Sequence, residues 1–391
     1  MRQAILVGVL AGLVFCGLAA PADAQTEERL QGIAIVWEND FYGLAKTNTD
    51  RWYSNGMHGA WSYRRGASLS PPFVWVRSIG KELGVVSTTP NESLMNTAGN
   101  LPAEPTAAGF IGHNIYTPTH IRVTTQQIYD RPYAGLLTFG IGSFAYCRND
   151  AQAHCRDAHR ALDLRVGVVG PGAFGERVQT GFHKIINNPP PEGWALQVRP
   201  RLALQASYMH TERFNKENPG LEFLPRWAGI HWHGRVTAGT VKNLAATGVT
   251  FIAGERDRVF GAPDEGDAFA VDFNERTNYF RSDADADSWL KRVSLLAQFQ
   301  VAGVASNYLI TGKTYGPQPQ IQLKHGVWMA TLGASVKLGH QTRMEFRLKR
   351  RSVEFTSPFL GSNEKIHSYG ELRYVWDFDP KSSGRRESLI Y

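Results

Sequence analysis

The chain has 391 residues, a formal net charge of +7, 11% aromatic residues and 39 glycines. Beyond its first two dozen residues no apolar run approaches the roughly 20 residues that a membrane-crossing helix needs, which excludes a helical membrane protein. The glycine and aromatic load fits a β-barrel, apolar outside and polar inside, and fits a secreted soluble β-rich protein equally well.

The chain opens like an exported protein. Arg2 precedes the apolar run Ala4–Ala19, and Ala22-Asp-Ala24 supplies an A-x-A cleavage site. Residues 1–24 therefore read as a signal peptide. Residues 25–391 read as one domain, since no Pro/Ser-rich linker divides them. Export makes nucleic acid an unsuitable partner, and the basic excess suits the phosphates of anionic lipids. Cys147 and Cys155 flank a short polar segment, so a loop-closing disulfide is expected, with a Cys/His metal site using His154 as the alternative.

Period-two alternation recurs along the chain. It predicts strands over 31–38, 53–63, 109–116, 136–146 and 161–169. Further runs cover 195–208, 231–240, 248–253, 268–273, 293–301, 321–329, 331–337, 343–355 and 369–378. Segments of roughly ten alternating residues separated by turns are the signature of an outer-membrane barrel. The run Arg343–Phe355 is rich in Arg and Lys, which must face the lumen or project beyond the membrane. A short amphipathic helix is expected near Val74–Leu83, within a long excursion, and 255–290 has the acidic composition of a loop.

Strand parity then organises the polar clusters. With successive strands running up and down, Glu38-Asn-Asp40, Tyr53-Ser-Asn-Gly56, Asn114–Pro118, Asp130–Gly135 and the segment carrying His183 all fall on one rim. The cysteine loop and residues 65–105 fall on the other. Gly170-Pro-Gly172 reverses the chain before Gln179-Thr-Gly-Phe-His183-Lys184. A glutamine and a histidine four residues apart share one face of a helix, and histidine is suited to act as a base near neutral pH.

Each residue also has a plainer reading. Asn39 and Asp40 can ligate a hard cation through oxygen or close an Asx-type turn. Ser54 can donate a hydrogen bond or satisfy a turn, and no nucleophile motif surrounds it. Asp130 and Arg131 can form an ion pair that orders the rim. Trp52, Tyr116 and Tyr133 read as interface-belt aromatics. Arg177 and Lys184 can meet anionic head groups, and His113, His231 and His233 read as lumen or rim residues.

In this order the clusters resemble the outer-membrane lipid A 3′-O-deacylase family. The likeness rests on Glu38-Asn-Asp40, Asp50-Arg-x-Tyr-Ser-Asn-Gly56, Gly112-x-Asn-Ile-Tyr-Thr-Pro118, Asp130-Arg-Pro-Tyr-Ala-Gly135, and Gly170-Pro171 followed by Val178-Gln179 and His183-Lys-Ile-Ile186. The resemblance implies an all-β antiparallel barrel of about twelve strands in the outer membrane. It also implies a calcium-dependent hydrolase that removes the 3′-linked acyloxyacyl chain of lipid A in the outer leaflet. It gives His183 the part of general base and makes Asn39 and Asp40 the metal and oxyanion cluster. Ser54 stands where the family has a threonine, and Gln179 matches a glutamine of the site. Lys184, Arg122 and Arg131 are the expected contacts to substrate, and a monomer is expected.

Two positions depart from the family pattern. Arg122 is the nearest basic residue to an expected lysine, and Asn187-Asn-Pro189 replaces a glutamate after the histidine. A non-enzymatic porin or receptor barrel and an outer-membrane phospholipase are the rival readings.

Overall fold

The computed structural model describes residues 30–40, 52–63, 69–85, 106–147, 158–214, 219–225, 228–254, 293–338, 342–359 and 366–377. The segments expected to be a signal peptide, a strand over 268–273 and an acidic loop lie outside the described residues, as do Cys155 and His154.

Twelve antiparallel strands close into a barrel. In chain order they are β1 (Leu30–Asn39), β2 (Asn55–Tyr63), β3 (Thr106–Tyr116), β4 (Ala134–Cys147), β5 (Ala158–Val169), β6 (Arg201–Phe214), β7 (Ala228–Gly239), β8 (Lys242–Gly254), β9 (Val293–Asn307), β11 (Gly326–Lys337), β12 (Thr342–Ser352) and β14 (Ile366–Asp377). A separate two-stranded ribbon pairs β10 (Gln322–Leu323) with β13 (Phe355–Thr356). Each barrel strand pairs with its sequence neighbours in the barrel, and β1 closes the ring on β14. Closure leaves no strand edge for lipid to meet.

Side-chain alternation gives the wall two faces. On β12 the residues Arg343, Glu345, Arg347, Lys349 and Arg351 are buried, while Met344 and Phe346 are exposed. The basic run thus faces the lumen, where carboxylates answer it. Arg343 and Arg347 meet Glu345 at 2.9 and 2.7 Å. Lys349 Nζ lies 2.6 Å from both Glu38 and Glu371, and Arg373 meets Glu371 at 2.8 Å. Beside this ladder Val36, Phe110, Phe144, Met209 and Val375 fill the interior with apolar packing. On the outside Phe139, Val166 and Leu332 are half-exposed or more, as a lipid-facing belt requires.

Some expected boundaries shift. The run 321–329 divides between the short β10 and β11, β11 continues unbroken through 331–337, and the run from Arg343 stops at Ser352. The run from Ala195 begins as a 3-10 turn at Trp194–Leu196, and β6 starts at Arg201. Tyr116, Trp52 and Tyr133 are not belt aromatics. All three are buried at the rim, where Tyr116 packs on Tyr53, Trp52 on Phe355 and Tyr133 on Trp194.

Among the described residues three helices accompany the barrel: α1 (Pro71–Glu82), α2 (Gly175–Ile185) and the single turn α3 (Tyr308–Thr311). Helices α1 and α2 both lie on the outer wall, near opposite rims. Among the described residues no helix is long and apolar enough to cross a membrane.

Candidate active site

The helix α2 is set in place by its two ends. Gly170, at φ 88°, turns the chain out of β5, and a Cβ there would meet the Val198 carbonyl at 2.8 Å, so only glycine fits. The 3-10 turn Pro171–Ala173 follows, and the His113 ring donates from Nε2 to the Ala173 carbonyl at 2.7 Å, tying this turn to β3. At the other end Asn187 adopts the left-handed conformation, φ 56°. Its N–H bonds to the Lys184 carbonyl and that of Asn188 to the His183 carbonyl. This is the Schellman arrangement, and the prolines that follow cannot continue the helix.

That reversal supplies the histidine with a partner. His183 is buried, and its Nδ1 lies 2.6 Å from the Pro189 carbonyl. A carbonyl oxygen only accepts, so Nδ1 carries the proton and Nε2 of the neutral ring is the acceptor. The residues that replace the expected glutamate therefore provide the orienting group through the backbone.

Gln179, one turn earlier on the same edge of α2, is also buried. Its Oε1 accepts from the Trp194 indole at 3.0 Å, while its Nε2 has no hydrogen-bond partner among the described residues. Trp194 packs against Tyr133, Ile115 and Val178, so the amide is held by a rigid wall.

The barrel brings the second half of the cluster alongside. Asn39 and Asn55 stand opposite each other in the β1–β2 register. They share the wall's outer face with Trp37 and Met57. Trp37 meets Phe182, the neighbour of His183, edge to face at 6.0 Å. Asp40 follows Asn39 directly and is buried. The Oδ1 of Asn55 is buried without a hydrogen-bond partner among the described residues.

Between α2 and the wall lies a cavity of about 510 Å³, within the range of roughly 300–1,000 Å³ for small-molecule sites. Ile35, Trp37, Ile111 and Phe139 line it from the barrel, and Val178, Gly181, Phe182 and Ile185 from the helix. It reaches up to Asn55 and His113. Phe174, Ile185 and Ile186 expose apolar surface outward.

The remaining expected residues divide. Lys184 is exposed on α2, as is Arg177, which lines the cavity. Arg122 is exposed on the β3–β4 loop beside Ile121. The Ile121 carbonyl accepts from Glu192 N at 2.8 Å and from the Tyr133 hydroxyl, so this loop is stitched to the segment after α2.

Arg131 is not available to substrate. It is 1% exposed, stacks over the Tyr116 ring at 4.3 Å and lies 3.7 Å from Glu354. Glu354 is thus an ion-pair partner of Arg131, and the Asp130 carboxylate accepts from the Trp52 indole and from the N–H groups of Thr119 and Arg131. Burial pushes Glu354 up, but the positive charges of Arg351, Lys242 and Arg131 outweigh it and hold the carboxyl at about 2. Ser54 is buried, with its hydroxyl 2.5 Å from that of Thr117, a bond across the β2–β3 seam.

Sequence reasoning passed over Asn55, Trp194, Pro189 and the wall-facing place of His113. Asn55 belongs to the Asp50–Gly56 motif and alternates with Met57, which is the signal the sequence offers. The other three contacts come from tertiary structure.

A closed twelve-strand barrel with an apolar outer belt, carrying a histidine-bearing helix on its outer wall, defines an outer-membrane β-barrel protein. The sequence matches the family described as Outer membrane protein LpxR over residues 10–378, and the chain belongs to that family. Among solved structures, LpxR from Salmonella typhimurium is similar at TM-score 0.61 and 16% identity, covering 88% of this chain and 99% of that one. The β domain of the Bordetella autotransporter BrkA gives TM-score 0.38 at 10% identity, covering 89% and 99% of the two chains. The translocator domain of NalP from Neisseria meningitidis gives 0.35 at 10%, covering 96% and 95%. No curated protein matches the sequence.

Proposed function

We propose that this protein is a calcium-dependent esterase of the outer membrane that releases the 3′-linked acyloxyacyl chain of lipid A. The observation that carries this reading is the position of the cavity. It opens on the lipid-facing wall and reaches Asn55, the register partner of Asn39, so an acyl chain would approach the polar cluster without leaving the bilayer.

The donor set fits a hard cation. Asp40 offers a carboxylate, Asn39 a side-chain carbonyl, and Asn55 a buried oxygen that lacks a hydrogen-bond partner among the described residues. These residues would hold calcium, which when bound stabilises negative charge developing on the ester oxygen. His183 Nε2 takes a proton from water as the water oxygen bonds to the ester carbon. The C–O bond to the sugar then breaks, and the imidazolium returns the proton to the sugar oxygen. Gln179 Nε2 donates to the ester carbonyl, a hydrogen bond that strengthens as charge develops. Arg177, Lys184 and Arg122, all exposed, would meet the phosphates of the head group.

The apolar packing and Arg–Glu ladder inside the barrel weigh against a conducting pore. Acyl release by the purified protein from lipopolysaccharide and, separately, from glycerophospholipid tests the substrate. Release from lipopolysaccharide alone, lost with a calcium chelator, is expected. Release from glycerophospholipid alone would overturn the substrate assignment.

A further inference from the structure

Helix α1 lies on the outer wall at the rim opposite His183. Val76 and Val85 pack on Ala145 and Leu162, and Ile79 on the same cluster with Ile141 and Leu164. The seat is tight: a Cβ on Gly80 would lie 1.9 Å from the Ser143 hydroxyl. Arg160 fixes the helix end, donating to the Gly84 carbonyl at 2.8 Å. On β5, Leu162 and Leu164 occupy the face that Val166 and Val168 expose nearer the other rim. The helix therefore covers the lower part of the lipid belt.

Its two flanks differ in chemistry. Trp75, Ile79 and Leu83 recur at four-residue spacing on one side of the buried Val76–Gly80 edge. Trp75 and Leu83 remain 55% and 53% exposed there. Arg77 and Lys81, also four apart, lie by helical spacing on the other side of that edge. A bilayer interface has the same polarity, acyl chains on one side and phosphates on the other.

We propose that α1 is a membrane-interface helix, inserting Trp75 and Leu83 among phospholipid acyl chains while Arg77 and Lys81 meet anionic head-group phosphates. That this is the periplasmic leaflet rests on the proposed placing of α2 at the outer face; the lipid contact does not. The helix widens the barrel's footprint on one side and fixes its height in the membrane.

The test uses the full chain reconstituted in phosphatidylcholine vesicles containing phosphatidylglycerol, with acyl chains brominated just below the head group. The difference in emission between the protein and Trp75→Phe isolates this indole. Bromolipid should quench most of that difference, and aqueous acrylamide little. Quenching by acrylamide with none by bromolipid would overturn the proposal. Phosphatidylglycerol retained on the purified barrel is the second readout. The pair Arg77→Glu and Lys81→Glu should retain less, and equal retention would overturn the head-group contact. Heat-modifiable migration on gels confirms folding of each variant, and deacylation measured in the same vesicles reports the proposed function separately.

Discussion

His183 donates its Nδ1 proton to the Pro189 carbonyl at 2.6 Å, so the neutral ring presents Nε2 as its acceptor. A backbone acceptor makes the tautomer a property of the helix end, since the Asn187–Asn188 reversal carries Pro189 back over the ring. Replacing His183 with alanine should cut turnover by roughly 10²–10⁴-fold, the usual contribution of a general base. Activity should also fall on acidification, because an imidazolium has no lone pair to accept a proton. A pH–rate profile checks both, and the residual rate of His183→Ala should lack the acidic limb.

The Trp194 indole holds Gln179 from behind. Trp194→Phe removes one hydrogen bond worth about 0.5–1.5 kcal/mol and keeps an aromatic ring against Tyr133. Turnover should drop by up to about tenfold with KM nearly unchanged. A rise in KM alone would assign Gln179 to ground-state binding.

Gly181 lines the cavity, and a Cβ there meets nothing within 4 Å. Gly181→Ala should raise stability by about 0.5–1 kcal/mol, as expected for glycine in a helix interior. Gly181→Trp should fill the groove and abolish acyl release while the barrel stays folded. Thermal unfolding and ester hydrolysis, measured on both variants, separate the effects.

Lys349 bridges Glu38 and Glu371 inside the lumen, and the Tyr53 hydroxyl also donates to Glu38. Lys349→Ala would remove the cation shared by two buried carboxylates, leaving Glu371 with Arg373 and Glu38 with the Tyr53 hydroxyl, a loss of up to about 3–5 kcal/mol for a broken buried pair. A markedly lower unfolding temperature is expected.

The Glu354 cluster ties the β12–β13 corner to Arg131 and Lys242. Its carboxyl titrates near 2 when folded, below its ordinary value of 4.5. Such a depressed acid stabilises the fold fully above the unfolded value and loses that contribution as pH falls towards 2. Glu354→Gln should therefore lower stability at neutral pH and flatten its decline between pH 4.5 and 2, read by unfolding at stepped pH.

The alternation of Met344, Phe346 and the intervening charges revealed both the barrel and the lumen face, because a period of two is written directly in side-chain order. Parity then placed Asp40, Ser54 and His183 on one rim before any contact was known. The joining of 326–329 to 331–337 was hidden, since the stretch before Gly326 reads as alternation though its only strand, Gln322–Leu323, lies in the separate ribbon. Arg131 was misread because a charged side chain beside a turn looks solvent-exposed, whereas Glu354, more than two hundred residues on, buries it. The positions of α1 and α2 on the outer wall were not legible. Their seats depend on small residues of β4, Gly135 under α2 and Ser143 under α1.

The central claim is hydrolysis of a lipid A ester by His183, and the most direct measurement is the mass of lipid A from cells grown in calcium with this protein, without it, and with His183→Ala. The account predicts lipid A lighter by the 3′ acyloxyacyl substituent only when the intact protein is present. Lipid A of equal mass in all three, with the barrel folded in the membrane, would contradict it.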